Sequence, residues 1–119
     1  MTQPVDSWRS ECPIASTLDI VGDKWTLLVL RDLLDGRTRF SEFERSPERI
    51  PTNILTDRLR RLERYGLLER RSGTGRRYDY QITEKGRALR PTILALAAWG
   101  NEYISGTWHP PDDYLLDES

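Results

Sequence analysis

Six arginines lie close together in the segment TNILTDRLRRLERYGLLERR, residues 52–71, at positions 58, 60, 61, 64, 70 and 71. A guanidinium group donates several hydrogen bonds to phosphate or to guanine, and side-chain amides and hydroxyls can also bind base edges. The same segment supplies Asn53 and Thr56. These residue types predict contact with a polyanion, although a charged run taken alone is more often a solvated surface.

The rest of the chain does not share this positive charge. Residues 37–90 carry 15 Lys and Arg against 8 Asp and Glu, whereas residues 1–36 carry 3 against 6 and residues 91–119 carry none against 5. The whole chain has a formal net charge of −1 and an isoelectric point near 5.9. The basic middle is therefore the part suited to nucleic acid, whose counterions are released when Lys and Arg approach its phosphates.

The length of 119 residues predicts one packed domain, which we place at residues 12–104, between an N-terminal arm of residues 1–11 and an acidic tail of residues 105–119. Apolar residues make up 37% of the chain, and no apolar stretch approaches the roughly 20 residues that cross a bilayer. We expect no membrane contact. A single cysteine, Cys12, and the lack of a signal-like N-terminus predict a reducing, cytoplasmic location.

Residues for catalysis are sparse. His109 is the single histidine and lies far along the chain from Cys12, so neither a metal cluster nor a nucleophile pair is indicated. The sequence Gly73-Thr74-Gly75 lacks the third glycine of a dinucleotide-binding motif. We therefore predict no enzyme activity, no cofactor and no metal.

Apolar spacing predicts a mainly helical chain. A first helix is predicted over Cys12 to Val21, with Pro13 in its first turn, and a second should run from a predicted N-cap at Asp23 to Gly36. The second helix has the widest apolar face and is the candidate for the centre of the core. A short third helix should bury Phe40 and Phe43.

Residues 52–65 form the predicted fourth helix, with Thr52 as N-cap and Leu55, Leu59 and Leu62 on its buried side. A helix that packs one side on its own domain and offers donors and acceptors on the other side fits the DNA major groove. Arg58 and Arg61 flank the buried side and are predicted either to extend along it or to pair with Glu63 and Asp57, and not to contact DNA. The predicted base contacts are Asn53, Thr56, Asp57 and Arg60, and Arg64 is predicted to bind phosphate.

A β-hairpin is predicted after Gly66, because LLERR and RYDYQIT have strand-like composition and are joined by SGTG. Two short helices followed by such a hairpin make a winged helix-turn-helix, a mainly α fold with a small β-hairpin. Arg70 and Arg71 are neighbours on one strand, so at most one of them can face a duplex. The predicted wing contacts are Thr74, Arg76 and Arg77.

The last predicted helix follows a cap at Thr83, and Pro91 should kink or divide it. Its apolar stripe lies beyond the helices needed to close a winged domain, so a second copy of the chain is expected to cover it. Such a homodimer would place two recognition helices about 34–36 Å apart. The alternative is that this helix packs on its own subunit. The predicted dimer residues are Leu89, Ile93, Leu96, Trp99, Tyr103 and Ile104.

The order of these motifs resembles the HxlR family of bacterial transcription regulators, which is related to the MarR group. The resemblance rests on CPI…L…VGDKW…LL…L…G..RF.EF, on LTDRLRRLE..GLLER and on Y.ITEKG..L.P…AL..WG, over about residues 12–104. It implies a homodimer of winged helix-turn-helix subunits joined by terminal helices, bound to an inverted-repeat operator, with repression as the default. One departure concerns the wing, because residues 72–77 lack the proline that members commonly carry there.

Cys12 precedes Pro13, at a predicted helix N-terminus, where free backbone N–H groups favour a thiolate, although Glu11 opposes it. The resemblance implies a sensor of oxidants or electrophiles at this position, and a small-molecule effector is open but unidentified. Without the resemblance, Cys12 would be a small buried apolar residue. For the protein as a whole, the alternative function is a winged domain that binds another protein and not DNA.

Overall fold

The computed structural model describes residues 8–72, 78–111 and 114. It confirms a mainly helical fold with one antiparallel hairpin. No helix within those ranges is long and apolar enough to cross a membrane. In chain order the elements are α1 (Pro13–Val21), α2 (Thr26–Leu34), α3 (Phe40–Glu44), α4 (Thr52–Arg64), β1 (Leu68–Ser72), β2 (Tyr78–Ile82), α5 (Glu84–Arg87) and α6 (Arg90–Tyr103).

The core is built around α2, as the width of its apolar face predicts. Val29, Leu30 and Leu33 of α2 are buried together with Phe43 of α3. Each such side chain contributes about 1.5–3 kcal/mol when it is removed from water. The same cluster includes Leu55, Leu59 and Leu62 of α4, Leu67 and Leu68 at the start of the hairpin, Val21, Ile50 and Ile93.

The hairpin is attached to the core at its base. Leu68 pairs with Ile82 and Ser72 with Tyr78, while the backbone N–H of Tyr80 donates to the carbonyl of Thr38 over 2.7 Å. The strand therefore also binds the loop between α2 and α3. Residues 73–77 connect the two strands, so the predicted wing contacts Thr74, Arg76 and Arg77 lie outside the described residues.

Pro91 divides the predicted last helix into two. Thr83 caps α5 as predicted, its Oγ1 accepting from the N–H of Gly86 over 3.1 Å. Pro91 then lies in the first turn of α6, where a missing N–H costs no helical hydrogen bond. A Cβ added at Gly86 would lie 2.3 Å from the Leu67 carbonyl oxygen, so α5 contacts the hairpin base through glycine.

Two predicted N-caps need correction. The fourth helix begins at Thr52 itself with extended Pro51 as its N-cap, and the Thr52 hydroxyl donates to Glu44 across the turn. The second helix begins at Thr26, three residues after Asp23. The Asp23 carboxylate still accepts hydrogen bonds from the N–H groups of Trp25 and Thr26, over 3.1 and 3.2 Å.

The segment after α6 turns back onto the domain. Gly106 adopts a φ of 81°, a conformation that favours glycine, and the Asn101 side chain donates to Thr107 and to the Trp108 carbonyl. The ring of Trp108 meets that of Tyr114 edge to face at 5.1 Å, and Tyr114 packs against the core. At Tyr114, therefore, the chain beyond α6 contacts its own domain.

Candidate nucleic-acid interface

The outer face of α4 carries the polar residues that the sequence predicts for DNA contact. Thr52, Asn53, Asp57, Arg60 and Arg64 are exposed, and Thr56 is half-buried. Leu55, Leu59 and Leu62 on the opposite side are buried. The helix therefore has one side fixed in the core and one side open to a ligand.

Two side chains on this face are unoccupied by other parts of the described chain. Neither Asn53 nor Arg60 makes a hydrogen bond or ion pair with another described residue. By contrast, the Thr56 hydroxyl donates to the Thr52 carbonyl over 3.0 Å, and the Asp57 carboxylate accepts from Arg58. Asn53 and Arg60 thus keep their donors available for base edges.

The remaining arginines of α4 differ in role. The guanidinium of Arg64 lies 5.6 Å from the ring centroid of neighbouring Tyr65, at the exposed end of the helix. Arg58 donates to Asp23 over 2.8 Å, and Arg61 donates to the backbone carbonyl of Asp19 at the end of α1. Arg58 and Arg61 therefore attach α4 to the chain on either side of Gly22. Of the two predicted partners, Asp57 does accept from Arg58, whereas Glu63 accepts from Arg70.

Asp23 is the acceptor at the centre of this attachment. Partial burial alone would raise the pKa of its carboxyl group. Hydrogen bonds from Arg58, Thr26 and the N–H of Trp25 outweigh burial and lower the pKa from 3.8 to about 2. The carboxylate is therefore charged throughout the neutral range, and it binds both Arg58 and the start of α2.

The turn that leads into α4 is also fixed by polar contacts. Buried Ser46 donates to buried Asp32 of α2 and accepts from Arg37 over 3.0 Å. The N–H of Arg49 donates to the Ser46 carbonyl, and Arg49 adopts a φ of 55°, which is uncommon for a residue with a side chain. These contacts set the angle at which α4 leaves the turn.

On the hairpin, Arg70 and Arg71 occupy opposite faces, as their adjacent positions require. Arg70 donates to Glu63 of α4, and its guanidinium lies 5.0 Å from the ring centroid of Tyr78. Arg71 is exposed and lies 3.5 Å from Glu69 on its own strand. Both side chains are exposed, 43% for Arg70 and 66% for Arg71, and Arg70 is the one of the pair that binds α4.

Cys12 is exposed and forms the N-cap of α1, which contradicts the alternative of a buried cysteine. The backbone N–H groups of Ala15 and Ile14, in the first turn of α1, lower the pKa of the thiol below its ordinary value of 9.0. The predicted favourable environment for a thiolate is therefore present.

The predicted dimer stripe on α6 is only partly open. Leu96, Trp99, Tyr103 and Ile104 are each more than half exposed. The structure corrects the prediction for Ile93, which is 8% exposed and packs in the core of its own subunit, and Leu89 is half-buried against that core.

Sequence reasoning did not include α1 among the surfaces open to a partner. Ile14 is 70% exposed and Leu18 51% exposed, whereas Val21 on the same helix is buried. Their helical spacing was visible in the sequence. Whether such a face packs on its own subunit or contacts a partner depends on tertiary structure. The helical spacing alone therefore does not distinguish the two cases.

The chain is similar in sequence to known transcriptional regulators. The HTH-type transcriptional regulator YdeP of Bacillus subtilis is 42% identical over 94 residues, 77% of this chain and 73% of YdeP. An HTH-type transcriptional regulator of Mycobacterium tuberculosis is 39% identical over 100 residues, 82% of this chain but only 63% of the relative's length.

Solved structures of a redox regulator and of another transcriptional regulator are also similar. The redox regulator HypR in its oxidised form has a TM-score of 0.70 and 36% identity, covering 76% of this chain and 96% of HypR. The reduced form of the transcriptional regulator YodB from B. subtilis has a TM-score of 0.67 and 29% identity, covering 82% of this chain and 98% of YodB. The model of the HxlR-like helix-turn-helix family matches residues 20–107, and the chain belongs to that family of transcription regulators.

Proposed function

We propose that this regulator binds an inverted-repeat operator as a homodimer, inserts α4 into the major groove and represses the adjacent gene. The observation that carries the proposal is the outer face of α4, where Asn53 and Arg60 are exposed and unpaired among the described residues. Asparagine binds adenine and arginine binds guanine through paired hydrogen bonds. A dimer that occupies a promoter blocks polymerase without further apparatus.

The other predicted contacts take supporting roles. Thr52, Thr56 and Asp57 lie beside Asn53 on α4 and complete the base-reading set, with Asp57 able to accept from the cytosine amino group. The wing contacts proposed at Thr74, Arg76 and Arg77, together with Arg64, bind backbone phosphate. Phosphate contacts fix the register of the protein and do not distinguish sequences.

Substitution at positions 60 and 64 tests this division of roles. Arg60→Ala and Arg60→Lys should both reduce discrimination at one base pair by about 1–3 kcal/mol, since lysine keeps the charge but lacks the planar pair of donors. Arg64→Ala should instead weaken binding to all duplex sequences alike and reduce the salt slope of binding by about one. Gel shifts across a salt series, with an operator selected from random duplexes, measure both quantities.

Lys24→Ala is the control, because it removes one exposed positive charge outside the proposed interface. Equal affinity of the wild-type protein for operator and scrambled duplex would contradict sequence-specific binding. It would favour the alternative of a winged domain whose positive face binds an acidic protein.

The dimer is proposed to form through the exposed side of α6, Leu96, Trp99, Tyr103 and Ile104, with Leu89 at its edge. Exposed apolar side chains at this density suit a covered surface better than one facing water. Ile14 and Leu18 of α1 add apolar surface on the other terminal helix. On this proposal residues 12–104 form the DNA-binding and dimerisation unit, which works in the cytoplasm.

A second proposal concerns Cys12 as a sensor of oxidants or electrophiles. It is supported by the exposure and lowered pKa of the thiol, and by similarity to the redox regulator HypR. Peroxide or a quinone should change operator affinity of the wild-type protein at least about tenfold and leave Cys12→Ser unchanged. Equal responses of the two proteins in gel shifts would exclude the thiol as the sensor.

A further inference from the structure

A cavity of about 630 Å³ lies between α2, α6 and the segment that follows α6, and none of its walls comes from α4. Its size is within the range of pockets that hold small organic ligands. It is therefore separate from the proposed DNA surface.

The walls of this cavity are mostly apolar and aromatic. Leu27 and Leu28 of α2 face Ile93 and Ala97 of α6, and the rings of Trp108 and Tyr114 form the far side. The two rings meet edge to face, and Asn101 holds their segment to α6 through bonds of 3.0 Å to Thr107 and 2.8 Å to the Trp108 carbonyl. An aromatic segment attached to α6 thus forms one wall of the cavity, which is open to solvent on another side.

The polar part of the wall carries an excess of negative charge. It contains three carboxylates, of Asp32, Asp35 and Glu48, and two guanidinium groups, of Arg31 and Arg37. Arg31 binds Glu48 at 2.7 Å and Asp32 at 3.0 Å, and Arg37 lies 3.4 Å from Asp32. The Asp35 carboxylate makes no hydrogen bond or ion pair with another described residue, so one negative charge is left without a partner.

The pKa of the Tyr114 hydroxyl is affected by these charged groups. Burial raises the pKa of Tyr114; Arg31 opposes the rise, and the carboxylates of Asp35, Asp32 and Glu48 add to it. Asp35, Trp108 and Tyr114 all line this one cavity, so a cation bound in it can contact the carboxylate and the rings. Tryptophan and tyrosine rings attract cations through their faces, more strongly where water is excluded.

We propose that this cavity binds a lipophilic organic cation, with its apolar body between α2 and α6 and its charge held by Asp35 and the rings of Trp108 and Tyr114. Binding itself is independent of the operator. An effect on DNA affinity rests on the proposed function, because Leu96 both lines the cavity and belongs to the proposed dimer surface of α6.

Tetraphenylphosphonium and tetraphenylborate test the proposal, because the two ions have nearly the same shape and opposite charge. Isothermal titration calorimetry with the full chain should show one saturable phosphonium site per subunit and at least about tenfold weaker binding of the borate. Asp35→Asn should weaken phosphonium binding about three- to tenfold, a modest change because water screens an exposed carboxylate.

Two further variants test whether the ion occupies the cavity and whether removal of a charge outside the cavity has any effect. Gly100→Leu should abolish binding, since position 100 lines the cavity and an added Cβ meets no atom within 4 Å. Glu102→Gln removes an exposed carboxylate of the same helix that does not line the cavity, and it should bind the phosphonium as the wild type does.

Equal binding of the two ions, equal affinity of Asp35→Asn and wild type, or no phosphonium binding would each overturn the cavity proposal. Gel shifts on the same preparation separate it from the operator proposal. Operator binding without phosphonium binding contradicts only the cavity. Phosphonium binding without preference for any duplex supports the cavity and contradicts the operator.

Discussion

At the scale of single residues, the arginines of α4 are divided between those that hold the helix to the domain and Arg60, for which we propose base contact. Arg58 and Arg61 are occupied by Asp23 and by the Asp19 carbonyl, whereas Arg60, between them in sequence, points to neither. Substituting an anchoring arginine should therefore lower stability, and substituting Arg60 should alter recognition. Adjacent residues of one type thus do different work because a helix places them about 100° apart.

The lowered pKa of Asp23 predicts a specific acid sensitivity. Its folded-state pKa of about 2 lies below its ordinary 3.8, so its stabilisation is complete above about pH 4 and is lost as the pH falls towards 2. Between these pH values the free energy of unfolding of the wild type should fall by about 1 kcal/mol more than that of Asp23→Asn, a figure reduced for solvent screening. Urea denaturation at several pH values measures this difference.

Glu102→Gln is the control in these titrations, because it removes a carboxylate that makes no ion pair with the described residues. If the curves of wild type and Asp23→Asn run parallel from pH 4 to pH 2, the carboxylate of Asp23 is not stabilised by Arg58 in the way described.

At the scale of elements, the contact between α5 and the hairpin depends on the absence of a side chain at position 86. Gly86→Ala would place a Cβ 2.3 Å from the Leu67 carbonyl oxygen and 2.7 Å from Ile82, so the backbone must shift. We expect a loss of about 1–3 kcal/mol in the free energy of unfolding. The matched Gly100→Ala has open space and should gain up to about 1 kcal/mol from helix propensity.

Thermal or urea unfolding of the two alanine variants checks this expectation. A Gly86→Ala variant as stable as wild type would show that α5 can move away from the hairpin base without cost, and that the close approach is not required by the fold.

Element boundaries and elements themselves were not equally predictable. Leu55, Leu59 and Leu62 recur at helical spacing, so the existence and the buried side of α4 followed from the sequence. Its N-cap did not, since extended Pro51 takes that position and the Thr52 hydroxyl binds Glu44. Local propensity determines where a helix can exist, and tertiary neighbours determine which residue ends it.

The partners of side chains were the least predictable part of the candidate site. Arg58 and Arg61 bind groups 35 and 42 residues earlier in the chain, and no local pattern relates such positions. The prediction that Ile93 lies in the dimer interface was wrong for the same reason. Its position in the α6 stripe is compatible with packing in its own core or against a partner. The cavity beside α6 depends on the reversal at Gly106, and its walls come from segments far apart in sequence.

At the scale of the whole molecule, the exposed apolar side of α6 predicts that two copies of the chain associate. A charge introduced on that side should prevent the association. The side chain of Trp99 is 60% exposed in the subunit, so a Trp99→Glu subunit should still fold. Sedimentation should then show a monomer, and operator affinity should fall at least about tenfold, because one half-site no longer supports the other.

Ala98→Glu introduces the same charge at an exposed position about 100° further round α6 and is the control for helix stability. A Trp99→Glu protein that remains dimeric would move the interface away from this side of α6. Preserved operator affinity in a monomeric variant would instead contradict the need for two subunits.

The bond from Arg61 to the Asp19 carbonyl has a mechanical meaning. Asp19 belongs to α1, whose opposite end carries the Cys12 thiol, so α4 and the thiol are attached to the same short helix. A movement of α1 would displace the carbonyl that Arg61 binds. On the roles proposed for α4 and Cys12, a chemical change at the thiol would therefore reach the recognition helix through α1 alone.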